Sequence, residues 1–188
     1  MLRLIPAVLA LTISAAAVHA DEFTDVVEGA LEAYRAGDIT GAQQELDYAN
    51  TLLREMKTAS LANHLPEAPD GWTREDNSDA QSGAGFGLAM LGGGNTAAAT
   101  YRRGGEDMTV TLVANSPMVS GMSAMITGMG AISGGRPMRI QRVQVANHDG
   151  ELQGVIDGRL LVTVAGNASV EDKVALLETM DFSALSAF

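Results

Sequence analysis

Two-residue turn signals recurring through the second half of the chain constrain its fold most tightly. Gly104-Gly105, Asp149-Gly150 and Asp157-Gly158 each stand between strand-like runs, of which "DMTVTLVA" alternates Met108, Val110 and Leu112 with Thr109, Thr111 and Val113. Strands joined by turns that short pair antiparallel, because a parallel pair needs a crossover of a dozen residues or more. "TAAATYRR" and "DMTVTLVA" flank the first signal; "MRIQRVQVAN", "ELQGVID" and "RLLVTVAG" flank the other two, and "GFGLAML" is a further candidate strand. "MRIQRVQVAN" is expected to run as one strand.

Two stretches of the same half carry helical spacing instead. In "SPMVSGMSAMITGMGAISGG", residues 116–135, Ser116 can cap a helix whose first turn holds Pro117. Ser169, with Asp172 three positions on, forms a capping box before Val170, Val174, Leu177 and Met180, which share one face of a closing helix. Residues 81–188 therefore predict an antiparallel sheet with two helices packed on one face, a strands-helix-strands-helix sandwich of the α+β class.

The first half has a different period. "MLRLIPAVLALTISAAAVHA" has the apolar core and small-residue end of a Sec-type signal peptide, with cleavage expected after Ala20 and no cysteine following it. Its apolar run is shorter than the ~20 residues a membrane span requires, so no transmembrane segment is expected after cleavage. Residues 21–60 then place apolar side chains at Phe23, Val26, Val27, Ala30, Leu31 and Tyr34, and again at Ile39, Ala42, Leu46, Ala49, Leu53 and Met56. This is the spacing of two amphipathic helices broken at Gly37-Asp38, where Gly37 ends the first and Asp38 caps the second. Residues 61–80, with Pro66, Pro69 and Asp70-Gly71, read as a linker, and Trp72 as the seal at the base of the second domain's core.

In the hairpin, Ala30, Tyr34, Gly37, Asp38, Ile39, Ala42, Leu46 and Ala49 fall at the spacing of a tetratricopeptide repeat, which residues 24–57 resemble over about one copy. No second copy follows, and Arg54 and Glu55 stand where the family places a proline. The resemblance implies a protein-contact surface, for which Tyr34, Asp38, Glu45 and Asp47 are the candidate partner-binding residues.

Charge narrows the partners. The chain has 23 acids against 12 Lys and Arg, so a nucleic acid, which needs clustered cations, is not expected. The acid is concentrated between residues 21 and 79. Absence of cysteine means the fold rests on its core, with no disulfide. The mature part holds only His64 and His148, with no G-x-S-x-G, H-E-x-x-H or Walker loop, so no catalytic residue is assigned and an enzyme is not expected. Asp76, Asn77 and Asp79 lack the late bidentate Glu of a calcium loop. Arg102, Arg103, Arg136, Arg139 and Arg142 form a modest cationic set.

The run at 116–135 leaves one metal question open. Met118, Met122, Met125 and Met129 fall within about 60° of one another on a helix, and thioethers are soft donors suited to Cu(I). Met118, Met122 and Met125 are thus candidate copper ligands, with Met90, Met108, Met138 or His148 as a further donor. Methionine equally serves as core filler beneath a sheet. The expectation is an exported, periplasmic, non-enzymatic accessory protein that contacts another envelope protein through its acidic hairpin. A Cu(I)-binding protein or a carrier of a hydrophobic ligand or lipid is the alternative.

Overall fold

The computed structural model describes residues 15–77, 94–117, 119 and 138–188, with side chains from residue 21 onward. The candidate strand "GFGLAML" and Met118, Met122, Met125 and Met129 lie outside the described residues. The chain divides into two compact units, Met1–Met56 and Lys57–Phe188.

The first unit is a helix pair, α1 (Ala15–Arg35) and the greater part of α2 (Ile39–Ala62). Gly37 ends α1 with φ 83°, and the Asp38 carboxylate accepts from the Gly41 N–H at 2.9 Å. Both roles follow from residue chemistry: glycine takes the left-handed conformation freely, and aspartate satisfies an amide that the first helical turn leaves without a partner.

The second unit is a seven-stranded antiparallel sheet: β1 (Thr73–Asp76), β2 (Asn95–Arg103), β3 (Glu106–Ala114), β4 (Met138–Ile140), β5 (Val143–His148), β6 (Glu151–Ile156) and β7 (Leu160–Ala165). The order β1-β2-β3-β7-β6-β5-β4 makes it two meanders joined along β3 and β7. Two helices follow, α3 (Val170–Glu178) and α4 (Phe182–Ser186). The fold is α+β, as the alternating runs and short turns require.

Register assigns the two faces. Ala97, Ala99 and Tyr101 of β2, Met108, Val110 and Leu112 of β3, Leu160, Val162 and Val164 of β7, and Leu152 and Ile156 of β6 point one way. They form one core with Leu176 and Leu177 of α3 and Phe182 and Leu185 of α4. Each fully buried aliphatic side chain contributes about 1.5–3 kcal/mol from loss of water contact. The other face starts with Thr96, Ala98 and Thr100 on β2 and continues through Thr109, Thr111 and Val113 on β3 to Leu161 and Thr163 on β7. There Val119 is fully buried against Val113 and Leu161.

Three differences from the sequence expectation have physical causes. The stretch 61–80 acts as more than a linker: Leu61, Leu65 and Trp72 are core residues, Thr73–Asp76 pairs with β2, and the second unit begins at Lys57 rather than at 81. Trp72 does close the core, with the Arg103 guanidinium 4.4 Å above its ring. "MRIQRVQVAN" is two strands, because Gln141 and Arg142 both take positive φ, 46° and 74°. That is the backbone of a tight hairpin turn, made here without the Asn, Asp or Gly that normally marks one. The closing helix is interrupted after Thr179, and α4 starts afresh with the Asp181 carboxylate capping Ser183 and Ala184.

Candidate functional site

Apolar exposure is unevenly distributed between the units. The large hydrophobic residues exposed among the described residues are Val27, Leu31, Tyr34, Ile39, Leu46, Tyr48 and Leu53, every one of them in the helix pair. The pair buries mostly small residues, Ala30, Ala42 and Ala49, together with Leu52.

Helical geometry sorts these side chains into faces. With about 100° per residue, Val27, Leu31 and Tyr34 lie roughly 40–100° to one side of Ala30, and Leu46, Leu53 and Ile39 lie roughly 40–80° to the same rotational side of Ala49. In antiparallel helices those two flanks open onto one common face. The opposite flanks are identified by contact: the Tyr48 hydroxyl donates to Glu22 at 2.6 Å, and Glu45 lies over Gly29. The Glu22 carboxylate beside it raises the Tyr48 pKa above the usual phenol value, through the hydrogen bond first and charge repulsion second. The hairpin thus has a polar, cross-linked side and an apolar, open side.

The four residues expected to bind a partner are spread over this arrangement. Tyr34, 64% exposed, stands on the apolar side. Asp38 caps α2, Glu45 lies on the polar side, and Asp47 is exposed on the outer surface of α2. Leu31, Ile39, Leu46 and Leu53, apolar positions of the two amphipathic helices, accompany Tyr34 on the exposed side. The signal for this was present in the alanines. Ala30, Ala42 and Ala49 form a stripe of their own, offset from the large side chains, and only one of two such stripes can line the seam between two helices.

A shallow groove of about 480 Å³ runs past Arg142, Asp157, Phe182, Ser183 and Ser186. Two of its polar groups serve the fold: Ser186 donates to the Phe182 carbonyl and Asp157 pairs with Arg159. His64 stands edge-on to Phe188, ring centroids 6.1 Å apart, and His148 is exposed at the end of β5. Among the described residues no three His, Asp or Glu side chains gather as metal donors, and no helix is long and apolar enough to cross a membrane. Of the methionines considered as an extra copper donor, Met108 is buried on the α3 face. Val119, within the methionine run, packs on the face behind it.

One buried charge was not foreseen. Lys173, 1% exposed, stands on the face of α3 turned to the sheet, and its ammonium donates to the carbonyl oxygens of Gly150 (2.6 Å) and Gly166 (2.7 Å). It ties the β5–β6 turn to the segment after β7. Beside it, Arg103 bridges Glu106 and Asp172 at 2.9 and 3.0 Å. The Asp172 carboxyl is held below the usual range, chiefly by the Ser169 hydroxyl and then by Arg103.

Comparison of the chain with known protein families, with curated proteins and with solved structures yields no match.

Proposed function

We propose that this chain is an exported, non-enzymatic binding or accessory protein, and that the helix pair α1–α2 is its contact surface for another protein of the cell envelope. One observation carries the proposal: among the described residues the large exposed hydrophobic side chains all lie in the helix pair, six of them on one face. A two-helix unit cannot bury such a face by itself, which is also what the tetratricopeptide-like spacing implies. Core packing accounts for the apolar residues described in the sheet unit in a way it does not for these. The Cu(I) alternative at Met118, Met122 and Met125 keeps its chemical basis in the sequence alone.

The test is site-specific photo-crosslinking in living cells. A crosslinker at Leu31 or Leu46 is expected to trap one defined protein adduct in the envelope fraction, and a crosslinker at Gln44, on the other side of α2, is expected to trap none. Absence of an adduct at both apolar positions would remove the proposal. N-terminal sequencing of the exported protein is expected to begin at Asp21; a retained leader would overturn the assignment of Ala20 as the cleavage point.

A further inference from the structure

We infer that the occupant of the hairpin's apolar face is a single basic amphipathic helix of the partner, lying along α1 and α2 as the third member of a bundle; this rests on the docking role proposed above and adds the chemistry of what docks. The shape is that of a helix seat. Val27, Leu31 and Tyr34 form one wall, and Ile39, Leu46 and Leu53 the other. Along the seam between them the buried residues Ala30, Ala42 and Ala49 are small, which lets the large side chains of a third helix sit close to both backbones. Ile39 to Leu53 spans about 21 Å of helix, the reach of roughly four turns of a partner.

Charge selects among possible occupants. Between residues 21 and 56 the acids are Asp21, Glu22, Asp25, Glu28, Glu32, Asp38, Glu45, Asp47 and Glu55, against Arg35 and Arg54 only. On the helical wheel Arg35 and Arg54 lie about 40–60° beyond the outermost apolar side chains and Glu28 and Asp47 about 60–80° beyond, so the negative charge belongs to the hairpin as a whole, nine acids against two arginines. A second copy of the hairpin laid on this face would bring two strongly negative surfaces within a Debye length of about 10 Å. An anionic lipid surface meets the same repulsion. A helix with an apolar stripe and lysine or arginine on either side gains on both counts, burying the stripe and meeting the net negative charge of the hairpin.

Fluorescence anisotropy with two labelled peptides of about 18 residues, a length that spans the face, tests this on the purified protein. Both carry leucine at i, i+3, i+4 and i+7; one fills the remaining positions with lysine, the other with glutamate. The lysine peptide is expected to bind, about tenfold more weakly at 1 M than at 0.1 M salt because exposed charges are screened, and the glutamate peptide is expected not to bind. Leu31→Ser with Leu46→Ser and Leu53→Ser is expected to weaken the lysine peptide at least about tenfold, the scale of losing buried apolar anchors, whereas Gln44→Ser leaves it unchanged. Equal binding of both peptides, or of neither, overturns the inference. So does sedimentation of the wild type as a dimer that the triple variant abolishes, or flotation of the protein with phosphatidylcholine vesicles. A crosslinked protein adduct in cells alongside failed peptide binding overturns the basic-helix inference alone, whereas loss of the adduct overturns the docking role itself.

Discussion

The side-chain amide of Gln141 donates to the Met180 carbonyl oxygen at 2.7 Å. It also reaches the Glu178 carbonyl at 2.8 Å, while the Gln141 oxygen accepts from the Phe182 N–H at 3.5 Å. A turn residue held at positive φ thereby satisfies the carbonyls that α3 leaves at its C-terminus. The local strain of a non-glycine turn is offset by the junction it holds. Gln141→Gly is expected to relax the turn yet lower stability by about 1–2 kcal/mol, since two carbonyls lose their donor. A urea midpoint equal to or above that of the wild type would show that the turn, not the junction, governs this position.

That same residue marks a limit of what the sequence discloses. The Asp-Gly pairs at 149–150 and 157–158 advertise positive φ through their own chemistry, so those hairpins were legible. Gln141-Arg142 advertises nothing, because the reason for its conformation lies about forty positions away in α3. The capping box of Ser169 was legible for the opposite reason, being closed within three residues. Lys173 was not, since a lysine in a helix reads as solvent-facing until the carbonyls of Gly150 and Gly166 are brought to it by the sheet. At the hairpin the sequence disclosed both helices and their apolar residues. Which stripe faced inward depended on the size contrast between alanine and leucine, a contrast that periodicity alone ignores.

Tyr101 tests whether the stretch before β1 belongs to the fold. Its hydroxyl, within a fully buried side chain, donates to the Pro66 carbonyl at 2.5 Å. Arg74 donates to the same oxygen at 3.1 Å, so the acceptor keeps one partner when the hydroxyl is removed. Tyr101→Phe is therefore expected to cost only about 1 kcal/mol, read from the denaturation midpoint at constant slope. Burial raises the Tyr101 pKa well above the usual phenol value. Its contribution is thus complete below about pH 10, the ordinary phenol value, and declines as pH rises beyond it, because only the unfolded chain then ionises. A wild type and Tyr101→Phe pair whose stability difference stays flat from neutral pH to pH 11 would contradict the assignment.

Among the described residues Lys173 is the buried charged side chain of the second unit. Lys173→Met keeps much of the stem's apolar packing and removes the ammonium, leaving the Gly150 and Gly166 carbonyls to find other donors. A loss of about 2–3 kcal/mol is expected from two charge-assisted hydrogen bonds of this kind. Hydrogen exchange is expected to speed up at the β5–β6 turn and in residues 166–168 before it does so in β2 and β3. Uniform acceleration across the sheet would mean the lysine supports the core as a whole rather than these two loops.

Asp172 supplies an acid-side counterpart. Its folded pKa is depressed by Ser169 and Arg103, so the stability it provides is present above the ordinary carboxylate value near pH 4 and is lost as pH falls through the lower folded value. Ser169→Ala removes the strongest of those influences along with the cap. It is expected to cost about 1 kcal/mol at neutral pH and to shift the Asp172 titration, followed by carboxyl carbon NMR, upward toward the ordinary value. An Asp172 titration identical in the two proteins would assign the depression to Arg103 instead.

The helix pair makes a prediction that separates function from folding. Leu46 and Leu53 are 49% and 38% exposed, whereas Ala49 between them is 4% exposed. If the apolar face exists for a partner, changing its leucines should leave the isolated protein almost untouched: Leu46→Ser and Leu53→Ser are each expected to move stability by no more than about 0.5 kcal/mol. Ala49→Leu adds apolar surface where the helix pair has no room, and overpacking of that size costs about 1–3 kcal/mol. Hydrophobicity is thus dispensable where it is abundant and harmful where it is increased. Helicity of residues 21–56 followed by thermal circular dichroism in the intact protein decides the matter. A serine at position 46 that melts the hairpin would return the leucine to the interior of the fold, and with it the main physical ground for a docking face.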